Sequence, residues 1–261
     1  MRTLHVIGIG VGDPDQLTVA AIRALNDTDV FFAMDKGERT ADLVAVRRRI
    51  CDRFIDDPDY RFVTLPDPVR AAPAPDVDYR TTVAEWHDAR AAVWAEAITA
   101  ELPPDGIGAV LAWGDPALYD STLRILDAVA DRVALRYDVI PGITAIQALT
   151  AAHRIPLNDV GRPVLITTGR QLHPQALTGT TVVMLDGDCA FTACPPQTRI
   201  WWGAYLGSDD EVLVAGTVDA VAEKIVATRA AARARHGWIM DTYLLRPAPD
   251  LLRPAPDRPV A

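Results

Sequence analysis

The stretch GIGVGDPDQL, residues 8–17, directly follows the apolar run LHVI near the start of the chain. Its glycines at alternate positions, Gly8, Gly10 and Gly12, indicate a sharp turn or a close approach of the backbone to another group. Glycine-rich loops between a strand and a helix occur in dinucleotide-binding folds. The first question is therefore whether this loop holds a pyrophosphate.

The loop departs from the dinucleotide pattern at its third glycine. That pattern is G-x-G-x-x-G, whereas here the third glycine comes one residue early and Asp13 follows it. A carboxylate at a helix entrance competes with a phosphate for the same N–H groups. We therefore expect Asp13 to cap a helix, with Pro14 in its first turn. Because Asp35 ends the second predicted strand, where a ribose ligand would lie, a dinucleotide-binding oxidoreductase remains an alternative.

Apolar strands alternate with helical patterns up to residue 157, which predicts an α/β domain with a mainly parallel sheet and helices on both faces. The stretch HRIPLNDVGRP, residues 153–163, breaks this rhythm. Residues 158–246 contain more strand than helix and predict a second, α+β domain with a mixed sheet. Residues 247–261 belong to a proline-rich tail containing the repeat LLRPAPD, which we expect to be disordered.

The composition is that of an ordinary globular protein. Of 261 residues, 49% are hydrophobic and 23% charged, and the net charge of −9 without a basic run argues against nucleic acid or an anionic membrane as partner. No apolar stretch approaches the about 18 residues that span a bilayer, and no leader pattern opens the chain, so we expect a cytoplasmic protein. Three cysteines without C-x-x-C and five scattered histidines predict no metal site.

Two further loops resemble the first in placement. AWGDPALYDST, residues 112–122, and IPGITAIQAL, residues 140–149, each follow a predicted strand and open a predicted helix. Since ligands of open α/β sheets lie outside the carboxyl ends of the strands, all three loops face one crevice. Asp115 and Thr144 are each either a helix cap or a ligand contact, and the carboxylate suits a cation or a hydroxyl better than a phosphate.

These three loops, in this order and spacing, resemble the tetrapyrrole methylases, S-adenosylmethionine-dependent enzymes of cobalamin and sirohaem synthesis. The likeness covers residues 3–245, although Val11 stands where the commoner family form has proline. It implies two α/β domains with the cofactor in the cleft between them, usually in a homodimer, and S-adenosylhomocysteine as a product. Within the family it is greatest to the branch that methylates C1 of its macrocycle and releases an acetyl group as acetate. Another methyltransferase of the same pathway is the alternative.

The resemblance also implies where the cofactor and substrate bind. The opening loop, with Gly10 and Gly12, would line the trough of a large macrocycle. The implied cofactor contacts are Trp113, Gly114, Asp115, Leu118, Thr144, Ala145, Leu185 and Gly216.

The implied deacetylation needs a base for water and donors for the oxyanion. Asp35 is our candidate base and Lys36 its oxyanion or carboxylate partner, with a solvated loop pair as the alternative. Asp120 is a further candidate, or else an exposed first-turn carboxylate. A polycarboxylate tetrapyrrole also needs basic and hydrogen-bonding side chains around it. His87, three residues before Arg90, is a candidate proton donor, or else an ordinary surface histidine. The candidate substrate contacts are Tyr119, His87, Arg90 and Arg170.

Overall fold

Two five-stranded sheets form the framework of the chain. In the computed structural model, residues 1–35, 41–57, 59–69 and 79–248 are described. Their contacts divide the chain into two units, Met1–Thr144 and Ala145–Ala261.

The sheet of the first unit is wholly parallel, as the sequence predicts. Its strands lie in the order β3-β2-β4-β1-β5. They are β1 (Arg2–Gly8), β2 (Val30–Asp35), β3 (Arg61–Pro66), β4 (Ile107–Ala112) and β5 (Leu135–Ile140). The helices are α1 (Val19–Asn26), α2 (Ala41–Phe54), α3 (Tyr79–Glu101) and α4 (Thr122–Ala130).

Successive side chains of a strand point to opposite faces of the sheet, and in β1 and β4 they are buried on both faces, so helices cover each face. Leu4 of β1 packs in one core cluster with Leu126 of α4, and Ile7 of β1 packs in another with Leu25 of α1. The helices that follow the adjacent strands β1 and β4 thus lie on opposite faces. This arrangement defines a topological switch point, where open α/β sheets bind their ligands.

The second unit has a mixed sheet in the order β6-β7-β10-β8-β9. The β6–β7 pair is parallel, and the other pairs are antiparallel. The elements are α5 (Ala145–His153), β6 (Val164–Thr168), β7 (Thr180–Met184), β8 (Arg199–Ala204), β9 (Val212–Thr217), α6 (Val218–His236) and β10 (Asp241–Arg246).

The contacts separate the units earlier in the chain than the break in the sequence pattern at residue 157. Helix α5 groups with the second sheet because it packs on β8, β9 and β10. A Cβ on Gly203 of β8, for example, would lie 2.9 Å from Leu149 Cδ1 of α5. The rhythm of strands and helices does not reveal which sheet receives this helix.

Two predicted helix starts are wrong. The helical spacing from Gln16 onward predicts a helix that starts there, but α1 begins at Val19. The helix that Asp13 caps, with Pro14 in its first turn, is a separate 3-10 turn, and Thr18 caps the α-helix. The helical spacing that follows Asp115 predicts a helix from Pro116, but α4 begins at Thr122. The intervening loop includes Tyr119 at φ +52°, a conformation that cannot continue a right-handed helix.

Some predictions fall outside the described residues. They include the tail beyond residue 248, the whole of Lys36 and the side chain of Asp35. Within the described ranges, no helix has the length and apolar character needed to cross a membrane.

Candidate functional site

The first and second glycine loops meet at the switch point between β1 and β4. The Gly10 N–H donates to the Gly114 carbonyl at 3.2 Å, and the Gly114 N–H donates to the Gly10 carbonyl at 2.7 Å. Both glycines are left-handed, with φ values of +72° and +67°. Glycine adopts this conformation without steric cost, so the two loops pair through their backbones.

The third loop lies close against both of the others. A Cβ on Gly142 would lie 2.1 Å from the Gly114 carbonyl oxygen, and one on Gly8 would lie 2.5 Å from the Gly142 nitrogen. No side chain fits at either position without moving the backbone. The first glycine of the opening motif therefore serves contact between loops.

Asp115 joins the second loop to the third. Its Oδ1 accepts the Ala117 N–H at 2.8 Å, and its Oδ2 accepts the Gly142 N–H at 2.9 Å. Asp13 in the first loop accepts the Asp15 N–H, also at 2.8 Å. The two carboxylates thus take up turn N–H groups that a pyrophosphate would need, which disfavours the dinucleotide alternative.

The other predicted cofactor contacts of the first unit lie on the same loops. Trp113 is half-buried against the core cluster that includes Ile7 and Leu25. The half-buried Leu118 donates its N–H to the Asp115 carbonyl at 3.2 Å. The Thr144 Cα would lie 3.9 Å from a Cβ on Gly114, and Ala145 begins α5 in the second unit.

Two predicted groups lie in the last part of the second loop. Tyr119 is exposed, and burial of part of its ring raises the pKa of its hydroxyl. Asp120 stands two residues before α4, is half-buried and accepts the Thr122 N–H at 2.6 Å, so it is not the exposed first-turn carboxylate of the alternative. Asp35 ends β2 beside β4 at the same edge of the sheet, but its side chain and Lys36 lie outside the described residues.

Arg47 of α2 is a candidate site residue that the sequence reasoning missed. Its Nε donates to the carbonyl of Leu111, near the end of β4, at 2.9 Å. Burial lowers the pKa of Arg47, and the negative charge of Asp120 opposes that shift. The signal was present, because Arg47 precedes the buried Ile50 and Cys51 by three and four residues and so shares their helix face.

Gln16 is a second residue that was missed. Its Cβ would lie 3.5 Å from a Cβ on Gly10, and its Oε1 is buried beside the opening loop. Among the described residues this oxygen has no hydrogen-bond partner. Because a buried polar oxygen normally accepts a bond, Gln16 offers an acceptor at the loop.

Arg90 of α3 is already paired. Its guanidinium forms two hydrogen bonds to the Asp67 carboxylate, at 2.6 and 2.7 Å, and stacks on Trp86 at 4.1 Å. The side chains of Arg90 and Asp67 are 8% and 10% exposed, respectively. Asp67 follows β3, which β2 separates from β4, so the structure does not place Arg90 among the three loops.

His87 lies one helical turn before Arg90. Burial, followed by the positive charges of Arg90 and Arg124, lowers the pKa of His87 below its ordinary value. The imidazole is therefore neutral near pH 7, which makes it a poor proton donor.

In the second unit, the turns after the parallel strands β6 and β7 lie at one edge of the sheet. Arg170 is exposed in the 3-10 turn Gly169–Gln171, after β6. Leu185 follows β7, is 64% exposed and has φ +52°. A Cβ on Gly169 would lie 2.4 Å from Asp186 Oδ1, so the two turns touch. The structure thus brings the predicted substrate contact Arg170 near the predicted cofactor contact Leu185.

Asp186, next to Leu185, organises the second turn. Its Oδ1 accepts the Asp188 N–H at 3.0 Å, and its Oδ2 accepts the Ala190 N–H at 2.7 Å and the Tyr243 hydroxyl at 2.6 Å. Asp186 is buried. This carboxylate therefore fixes the shape of the turn, a role that the sequence reasoning did not assign.

Packing explains why position 216 of β9 is a glycine. A Cβ there would lie 2.6 Å from Val221 Cγ1, so the glycine lets the first turn of α6 lie close to β9. Its contact with a cofactor stays a prediction. Within the described residues, no group of three or more His, Cys, Asp or Glu side chains could hold a metal ion.

Comparison with known proteins defines the class. The sequence model of the tetrapyrrole (corrin/porphyrin) methylase family matches residues 3–222 of the chain. The chain therefore belongs to that family, as the three loops indicate, and it is a methylase.

Individual members of the family give more specific similarities. The chain is 51% identical to precorrin-6A synthase [deacetylating] of a Sinorhizobium species, over 96% of this chain and 97% of that protein. It is 41% identical to the cobalamin synthesis related protein CobF of Corynebacterium diphtheriae, with a TM-score of 0.81 over 94% and 98% of the two chains. A uroporphyrin-III C-methyltransferase of Thermus thermophilus, solved with S-adenosylhomocysteine, shares the fold at 16% identity, with a TM-score of 0.58 over 94% and 92% of the two chains.

Proposed function

We propose that the protein transfers a methyl group from S-adenosylmethionine to C1 of precorrin-5 and releases the C1 acetyl group as acetate, giving precorrin-6A in cobalamin biosynthesis. The carrying observation is the 51% identity to precorrin-6A synthase [deacetylating] over nearly the full length of both proteins. In balanced form, precorrin-5, S-adenosylmethionine and water give precorrin-6A, S-adenosylhomocysteine, acetate and two protons.

The loops suit S-adenosylmethionine better than a dinucleotide. This cofactor carries a sulfonium, a ribose and an amino-acid end but no phosphate, and the turn N–H groups of Asp15 and Ala117 already donate to carboxylates. In the first unit, Trp113, Gly114, Asp115, Leu118 and Thr144 offer it backbone groups and partly exposed side chains. In the second unit, Ala145 and Gly216 contribute backbone, and the exposed Leu185 offers an apolar surface suited to a purine ring.

Methyl transfer mainly requires alignment of the ring carbon, the methyl carbon and the sulfur. When bound, the cofactor supplies the electrophilic methyl group. The protein then needs no nucleophile of its own. Its task at this step is to hold the macrocycle against the opening loop, where Gly10 and Gly12 keep side chains out of the way.

Deacetylation makes the larger demand on side chains. Water adds to the acetyl carbonyl, the bond from that carbon to C1 breaks, and the bonding electron pair passes to C1, which takes the methyl group. Asp35 is the proposed base and Lys36 the proposed oxyanion donor, with Asp120 as a further candidate. Arg47 adds a positive charge near Asp120, at the end of β4.

The carboxylates of the macrocycle need cationic and hydrogen-bonding partners. Arg170 is the better placed of the two proposed arginines because it is exposed in the turn beside Leu185, whereas Arg90 is only 8% exposed. Tyr119 is exposed next to the second loop, and His87 would act as a neutral hydrogen-bonding group. We also propose, from the family resemblance, a cytoplasmic homodimer, which sedimentation equilibrium tests against a monomer.

Cofactor binding tests the proposed class. Calorimetric titration with S-adenosylhomocysteine should show one site per chain, and titration with NAD⁺ should show no heat of binding. Binding of NAD⁺ together with indifference to S-adenosylhomocysteine would restore the oxidoreductase alternative.

Turnover tests the proposed substrate. Anaerobic incubation with precorrin-5 and S-adenosylmethionine should release acetate and add one methyl group, as followed by product mass. A methyl gain without acetate would identify a methyltransferase acting at another position of the ring. Acetate formed without the cofactor would show that deacetylation comes first.

A further inference from the structure

Leu185 combines two unfavourable features. An exposed leucine gains little from burial, and a left-handed φ of +52° strains a residue that has a side chain. Such residues persist where the surrounding structure fixes them, and they cluster at ligand sites. The question is which groups hold this turn.

Arg229 of α6 forms hydrogen bonds to the turn that contains Leu185. Its two terminal nitrogens donate to the backbone carbonyls of Asp186 at 2.6 Å and Gly187 at 3.4 Å. Its Nε donates to the Asp241 carboxylate at 3.0 Å. One guanidinium thus ties the two residues after Leu185 to the first residue of β10.

The anchor of this guanidinium is itself fixed. Asp241 is 8% exposed and also accepts the Trp202 indole N–H at 2.9 Å. Burial raises the pKa of Asp241, and the charge of Arg229 opposes that shift. A buried charge held by two donors has little freedom to move, so Arg229 has a fixed point from which to hold the turn.

We propose that Arg229 is a positioning residue for the cofactor: it keeps the Leu185–Gly187 turn in the shape that presents the Leu185 side chain to S-adenosylmethionine. The inference rests on the proposed function for the identity of the ligand. It assigns Arg229 no contact with the reacting atoms. Lysine at this position keeps the charge but cannot hold Asp241 and two carbonyls at once, because it lacks the planar fork.

Calorimetric titration with S-adenosylhomocysteine tests the assignment. Arg229→Lys should weaken binding about tenfold. The matched control is Arg235→Lys, the same substitution on the same helix, where the arginine pairs with Asp210. That variant should bind within about twofold of wild type. In turnover, Arg229→Lys should raise KM for S-adenosylmethionine and leave kcat within about twofold, a split that general loss of stability would not produce.

A double-mutant cycle with Leu185→Ala gives the decisive readout. If Arg229 acts through Leu185, Arg229→Lys should cost less than about threefold in the Leu185→Ala background. An equal cost in both backgrounds, or no effect of Leu185→Ala alone, would overturn the proposal. Asp241→Asn, which loosens the anchor and keeps its shape, provides the same cycle if Arg229→Lys does not fold. Failure of the wild-type protein to bind S-adenosylhomocysteine would contradict the proposed function instead.

Discussion

The two Gly-Asp-Pro loops have the same three residues and different structures. Both Asp13 and Asp115 follow a parallel strand and accept, at 2.8 Å, the N–H two residues further on. After that point they diverge. The first loop continues into the 3-10 turn Pro14–Gln16, whereas the second runs irregularly to Thr122, and Asp115 also binds the Gly142 N–H.

The difference shows what a short motif determines. The bond from an Asp side chain to the N–H two residues on is local and forms in both loops. The bond from Asp115 to Gly142 spans 27 residues and forms because β1, between β4 and β5, leads into a loop that reaches the other two. The order of the strands therefore lets Asp115 link the second loop to the third, and we call this link the clamp.

The largest expected effect follows from the close contact beside that clamp. Gly142→Ala would place a Cβ 2.1 Å from the Gly114 carbonyl, so the free energy of unfolding should fall by about 3 kcal/mol or more. Urea denaturation followed by circular dichroism measures it. Gly179→Ala is the control, because its nearest neighbour, the Pro163 carbonyl oxygen, is 3.7 Å away. Equal stability of the two variants would mean that the loops do not touch as described.

The two aspartates themselves give the next effect. Asp115→Asn turns an amide N–H₂ toward one of two backbone N–H groups and should cost about 2 kcal/mol in unfolding free energy. Asp13→Asn should cost less than about 0.5 kcal/mol, since asparagine caps turns nearly as well as aspartate. Parallel urea titrations compare them, and a reversed order of the two costs would contradict the clamp.

Arg47 contacts β4, the strand that leads into the second loop. Arg47→Met removes the guanidinium that donates to the Leu111 carbonyl, and kcat/KM for the macrocycle should fall about tenfold. Arg49→Met, on an exposed position of the same helix, should leave kcat/KM unchanged. A loss shared equally by both variants would show that the effect comes from helix α2 in general.

The smallest effect lies outside both loops, at His87. Because its folded-state pKa is below the ordinary value of about 6.5, protonation favours the unfolded state. The contribution of His87 to stability is therefore complete above about pH 6.5 and is lost as the pH falls below that value. The titration of His87 followed by proton NMR should have its midpoint below pH 6.5. The loss of unfolding free energy at acid pH should be smaller in His87→Gln than in the control Asp13→Asn, which keeps the histidine. A midpoint above 6.5 would reverse the sign.

The framework could be predicted because its signals are local. Apolar runs such as residues 107–112 form strands in any parallel sheet with both faces covered, and the predicted parallel sheet and mixed sheet are confirmed. The left-handed turn at Tyr119 could not be predicted, because the sequence that follows Pro116 has helical spacing. The start of α4 was wrong for that reason.

The parts of the site that were missed depend on contacts between distant residues. Arg47 reaches β4 across 64 positions, and Arg229 reaches Asp186 across 43. Nothing near either arginine in the chain identifies its acceptor. The pairing of Arg90 with Asp67 likewise joins positions 23 residues apart.

The most direct test of the proposed reaction counts both products in one sample. Precorrin-5 is incubated without oxygen with S-adenosylmethionine that carries a ¹³C-labelled methyl group, and acetate and ring-bound label are measured together by NMR. Deacetylating methylation predicts one acetate for each labelled methyl group, with the label on C1. Label on the ring without acetate, or at another ring carbon, would contradict it.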